Sequence, residues 1–124
     1  MARPTLLVAE PEPSQALSVR KLVLETAKYN VLTAHSTREA KELFELFPNI
    51  SMAVLVGNDG IDCAEVARAI KTTTTKIPVV FLHSRIAGIC KDADHRLASD
   101  EPEKLLKLVR SLVGDARQED TPKG

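Results

Sequence analysis

Four stretches of the sequence set reactive side chains directly behind apolar runs: EPEP after LLVA, GNDG after AVLV, HSR after VVFL and ASDE after HRL. Glu10 and Glu12 are carboxylates of the kind that hold a hard divalent cation through oxygen. Asp59 and Asp62 offer two more acids beyond the third run. His83, with Ser84 beside it, is a side chain that can change charge near neutrality and sense protons or an anion. The backbone N–H groups of Gly-Asn-Asp-Gly can form an anion nest. Cys63, if it opens a helix, is placed for dipole activation of its thiol.

Each candidate also has a plainer role. Glu10 suits the start of a helix, where the dipole favours an acid. His83 can simply finish a buried strand. Gly and Asn tolerate the positive φ of ordinary turns. Cys63 and Cys90 can pack as small reduced hydrophobes. The chain has no GxGxxG and no GxxxxGK[ST], so nucleotide binding lacks a motif. No Ser-His-Asp or Cys-His spacing is legible, and neither cysteine has a partner at metal-ligand spacing.

The elements that position these residues alternate between two patterns. Thr5–Ala9, Val31–Ala34, Ser51–Val56 and IPVVFL (77–82) are short apolar runs that predict strands, and His95–Ala98 predicts a weaker edge strand. Between them the apolar residues fall at helical spacing. One helix starts near Pro13 and Ser14 and runs to about Lys28. A second follows Ser36 or Thr37, with a stripe of Leu43, Phe44 and Phe47, and Pro48 stops it. A third is capped by Asp62, with KTTTTK as a polar loop after it. A last helix starts at Ser99 or Asp100, carries Leu105, Leu108, Val109 and Leu112, and ends at Gly114. A single short helix near Gly88 is expected between the last two strands. Apolar strands alternating with amphipathic helices predict an α/β fold with a parallel sheet covered on both faces. Right-handed crossovers point to the flavodoxin-like order 2-1-3-4-5, a three-layer α/β/α sandwich.

The chain of 124 residues, 44% hydrophobic and 27% charged, suits one domain, expected over 1–114, with 115–124 as a disordered tail. Lys+Arg and Asp+Glu both number 17, which argues against nucleic acid as a partner. No apolar run approaches a membrane span or a signal h-region, so a cytoplasmic protein without membrane attachment is expected. Met1 and the polar tail suggest a complete small protein.

Over roughly residues 4–114 the chain resembles the receiver domain of bacterial response regulators, a CheY-like fold. LLVAEPEPSQALSVRKLVL is similar to the receiver opening, DCAEVARAIK to its third helix, IPVVFLHS to its fourth strand, and ADHRLASDEPEKLLKLVRSLV to its fifth strand and last helix. The resemblance implies phosphoryl transfer from a histidine kinase or small donor to an aspartate ending the third strand. It also implies Mg²⁺ held by acids after the first strand, a hydroxyl after the fourth and a lysine after the fifth. Here those places carry other residues. The acid pair aligns with Glu10 and Pro11, and the acceptor with Leu55 or Val56. The hydroxyl aligns with His83, next to Ser84, and the lysine with Ala98 or Ser99. The fourth helix is also shortened, which alters a surface many receivers use for dimers and output.

The expectation is therefore a degenerate receiver: a non-enzymatic signalling module, without a cofactor, acting through a protein partner or as a homodimer. Two alternatives stay open. One is a working phosphorelay protein with Asp59 or Asp62 as displaced acceptor and Glu10 or Glu12 on Mg²⁺. The other is a small-ligand sensor built from His83, Glu10 and Asp59.

Overall fold

The computed structural model describes residues 4–10, 19–57, 61–83, 90, 92–98 and 101–114. In chain order the elements are β1 (Thr5–Ala9), α1 (Val19–Thr26), β2 (Asn30–Ala34), α2 (Thr37–Leu46), β3 (Met52–Val56), α3 (Cys63–Thr73), β4 (Val79–His83), β5 (His95–Ala98) and α4 (Pro102–Val113). The five strands are parallel and lie in the order β2-β1-β3-β4-β5. This is the order expected from the alternating pattern. The residues around Gly88, the start of the first helix near Pro13, and the tail lie outside the described residues.

Alternate residues of each strand face opposite ways, and the sheet therefore has two apolar layers. Leu7, Ala9, Ala53, Leu55, Val79 and Phe81 form one layer with Phe44 of α2 and with Cys63, Val66, Ala67 and Ile70 of α3. Leu6, Val8, Met52, Val54, Val56, Val80 and Leu82 form the other with Leu24 of α1 and with Leu105 and Val109 of α4. All of β3 is buried. At about 1.5–3 kcal/mol for each large apolar side chain removed from water, this strand is a main source of cohesion.

Several boundaries differ from the sequence reading, each for a local reason. Strand β4 begins at Val79, not Ile77. Pro78 has no N–H for a ladder, and the carbonyl of Ile77 is taken by Lys71 Nζ at 2.8 Å. Helix α3 continues into KTTTTK as far as Thr73. There the exposed Thr72 and Thr73 hydroxyls donate back to the Ala69 carbonyl within the same helix, a local bond that helical threonines can make. Phe47 does not extend the buried stripe of α2. It is the C-cap, in a non-helical conformation, and 48% exposed. A residue before proline is pushed out of the helical region, and Pro48 follows it. Helix α4 has Glu101 at its N-cap without a side-chain capping bond and Pro102 in its first turn.

A polar knot fixes the start of β4. Asp94 Oδ2 accepts from the Val79 N–H at 2.7 Å and pairs with Lys71 Nζ at 2.6 Å. The Asp94 N–H donates in return to the Val79 carbonyl. Burial alone would raise the Asp94 pKa, but the hydrogen bond from Lys71 and then that from Val79 outweigh it, and the carboxyl is held below its ordinary value. The group therefore releases its proton more readily in the folded state. Its contribution is present above the ordinary carboxylate range and is lost as pH falls through the lowered folded value.

Two predictions follow from this packing. Asp94→Asn lowers stability at neutral pH by about 1 kcal/mol, a figure discounted because the side chain is partly exposed. It also flattens the acid limb of stability against pH, as urea unfolding across a pH series will read. The Cys63 thiol is pushed up to about 12 by burial first, then by the neighbouring Cys90 and Asp62. Cys90 is raised as well, again chiefly by burial. Both thiols should therefore resist an aromatic disulfide reagent in the native protein and react fully once guanidinium unfolds it.

Candidate functional site

In a doubly wound sheet the ligand crevice lies outside the carboxyl ends of the strands. The ladder shows what stands there. Ala9 pairs with Leu55, Leu55 with Phe81 and Phe81 with Arg96. One rank further, Val56 pairs with Leu82 and Leu82 with Leu97; the last pair is His83 with Ala98. Glu10 follows Ala9, so continuing the register sets it level with Val56. The rim thus runs from Glu10 through Val56 and Gly57 to His83 and Ala98.

The middle of this rim is hydrocarbon. Leu55 is fully buried in the layer under α2 and α3, and Val56 is buried in the opposite layer. Gly57 is buried too, and its N–H donates to the Leu82 carbonyl at 2.8 Å, which keeps the chain in the sheet one residue past the strand. No oxygen or nitrogen nucleophile is available from these three side chains. Ala98 is half-buried and supplies a methyl group where the resemblance implies an ammonium.

The flanks are polar. Glu10 is 1% exposed, the one buried charged residue among those described. A carboxyl this deep persists only when hydrogen-bonded or paired. Its backbone is held from both sides: the N–H donates to the Ala34 carbonyl at 2.9 Å, and its carbonyl is 3.1 Å from His35 Nδ1. His83 is exposed at the end of β4, with its ring 6.3 Å from that of Phe81.

Asp62, the described member of the two displaced acids, is committed to structure. Its Oδ1 accepts from the Glu65 N–H at 3.0 Å as the N-cap of α3, and its own N–H donates to Thr37 Oγ1 at 2.8 Å. Pro11, Glu12, Asp59, Ser84 and Ser99 lie outside the described residues. Among the described residues no group of three or more His, Cys, Asp or Glu side chains could hold a metal ion.

His35 belongs to this rim and was missed in the sequence. The available signal was its place directly after the second strand, VLTA, next to the strand that carries Glu10. Its N–H also donates to Glu39 Oε1 at 2.8 Å, while Ser36 Oγ caps α2 by accepting from the Glu39 N–H. The ring is thus set by the same turn that starts the helix. A second cleft, between α2 and α3, is lined by Thr37, Arg38, Lys41, Glu42, Glu45 and Glu65. It is spanned by the exposed pair Lys41–Glu65 at 2.9 Å, a solvated ionic surface worth little to stability.

No protein-family model and no curated protein matches the chain. Solved structures do. A response regulator receiver domain from Clostridium thermocellum superposes with a TM-score of 0.75 at 21% identity, covering 95% of this chain and 99% of that one. A putative response regulator from Chloroflexus aurantiacus gives 0.74 at 22% identity, covering 90% and 98%. The receiver domain of a sensor histidine kinase from Pseudomonas aeruginosa, with a magnesium ion coordinated in its active-site cleft, gives 0.75 at 17% identity, covering 91% and 99%. With five parallel strands in the order 2-1-3-4-5 and this set of neighbours, the chain has the CheY-like receiver-domain fold.

Proposed function

We propose that the protein is a receiver-fold signalling module that acts through protein–protein contact and is not switched by aspartyl phosphorylation. The observation that carries this reading is the end of β3, where Leu55, Val56 and Gly57 are buried and offer no nucleophile. Phosphoryl transfer depends on positioned charge more than on covalent help from the protein. Ala98 in place of a cation removes a second part of that charge, and Pro11 in place of an acid a third. A single carboxylate such as Glu10 would bind Mg²⁺ weakly, because that ion is held by several oxygens.

In this reading the protein is not an enzyme, has no cofactor and works inside the cell on a signalling partner. Among the described residues no helix is long and apolar enough to cross a membrane, which fits that assignment.

Incubation with Mg²⁺ and acetyl phosphate, followed by intact-mass measurement, tests it. The expected result is no gain of a phosphoryl group. An adduct that disappears in Asp59→Asn or Asp62→Asn would establish the displaced-acceptor alternative instead. A melting temperature raised by a divalent cation or a nucleotide would point to the ligand-sensor alternative.

A further inference from the structure

Strand β2 is an outer strand, and its period of two sorts its backbone groups. The Asn30 N–H donates to the Pro4 carbonyl at 3.1 Å, and the Ala34 carbonyl accepts from the Glu10 N–H at 2.9 Å. Asn30, Leu32 and Ala34 therefore turn their N–H and C=O groups toward β1. Val31 and Thr33, one residue out of phase, turn theirs away from the sheet. Among the described residues nothing pairs with that outer side. The Thr33 hydroxyl is also buried without a hydrogen-bond partner among the described residues.

Nothing blunts this edge. Outer strands are usually protected by charged residues, by proline or by a bulge. The other outer strand, β5, carries His95 and Arg96, whereas Asn-Val-Leu-Thr-Ala has no charge and no proline. It also pairs with β1 residue for residue, without a bulge. Beside it lies an open groove of about 570 Å³ with walls from both layers of the fold. Glu25, Tyr29 and Val31 belong to the α1 side, and Leu32 and Phe47 to the α2 side. Alternate side chains of an added strand face opposite layers, and the groove offers a wall to each set. Glu25, exposed on α1, is the one charged residue in those walls.

We propose that this edge docks an extended segment of a partner protein, which adds to the sheet as a further strand beside β2 and sets a basic side chain against Glu25. The backbone selects the form of the occupant. The outward groups of Val31 and Thr33 are met by a chain that presents N–H and C=O groups at strand spacing, which neither a helix nor an apolar small molecule does. The walls select its side chains. Their one formal charge is negative, so a Lys or Arg gains there and an acid is repelled. Tyr29 and Val31 on one side, and Leu32 and Phe47 on the other, receive apolar side chains from the two faces of the added strand. The proposal rests on the contact-module reading and says what kind of contact the module makes.

The probe is the blocked peptide acetyl-Thr-Val-Lys-Val-Thr-amide, titrated into the full chain and followed by amide hydrogen exchange. In the free protein the Val31 and Thr33 amides should exchange fast and the Leu32 amide slowly. Saturating peptide should slow Val31 and Thr33 and leave Leu32 as it was. Val31→Pro removes one outward N–H and spares the ladder to β1, and it should weaken binding about tenfold. Glu25→Lys, an exposed substitution, should reverse the charge preference, so that the same peptide with Glu in place of Lys binds better. No saturable binding, slow exchange at Val31 in the free protein, or binding indifferent to both variants would overturn the proposal. So would a dimer in sedimentation velocity that Val31→Pro dissolves, which would give the edge to a second copy. Intact mass after Mg²⁺ and acetyl phosphate separates the two readings. A phosphorylated protein that still binds the peptide keeps this edge and ends the claim of phosphorylation independence. An unphosphorylated protein that ignores the peptide ends the docking proposal alone.

Discussion

The burial of β3 on both faces is the constraint on which the rest of the structure depends. A central parallel strand has no solvent side, so each of its residues must be apolar and must fit a helix above or below. Met52 to Val56 meet that demand without exception. The same strand sets the register of the sheet, because β1 and β4 both hydrogen-bond to it. Carrying the apolar run to the last residue of the strand makes the crevice end hydrocarbon. The requirement of the core and the requirement of a charged site meet at Leu55 and Val56, and here the core has both positions.

Charge has not vanished from the molecule; it serves other ends. Asp62 starts α3, Glu39 supports the start of α2, and Asp94 with Lys71 joins the end of one helix to the first residue of β4. Each of these carboxylates accepts a backbone N–H, which is where a partly exposed acid contributes most reliably. Glu10 differs from them in its burial. It lies at the crevice and is buried, and its backbone joins the end of β1 to Ala34 and His35 beside it.

Much of this fold was legible because strand and helix periods alternate so regularly. The five strands and their order follow from apolar runs of similar length separated by amphipathic segments; Asp62 was readable as a cap, and Ser36 or Thr37 as the start of the second helix, of which the structure selects Ser36 as the cap. What escaped the sequence was decided by single contacts. Nothing local in KTTTTK says that two threonine hydroxyls will bond back to Ala69. Phe47 looks like part of a stripe until the proline after it is given its full steric weight. His35 could not be read as a rim residue without β2 beside β1, since its neighbour Glu10 is far away in sequence. The plain, apolar character of the β3 end was visible in the letters themselves, since Leu and Val admit no other reading.

The hydroxyl of Tyr29 donates to the carbonyl of Gly114, at the end of α4, across 85 residues of sequence. Closing so long a loop is entropically costly and is rewarded only when the last helix has docked. Tyr29 is also a wall of the groove beside β2. That wall is therefore braced by the C-terminal end of the fold, although every residue lining the groove, Tyr29 included, comes from the first half of the chain. A nascent or partly unfolded molecule presents the edge strand without the finished recess. The two ends of the chain are thereby tied into one cooperative unit, and loosening the last helix loosens the β2 edge with it.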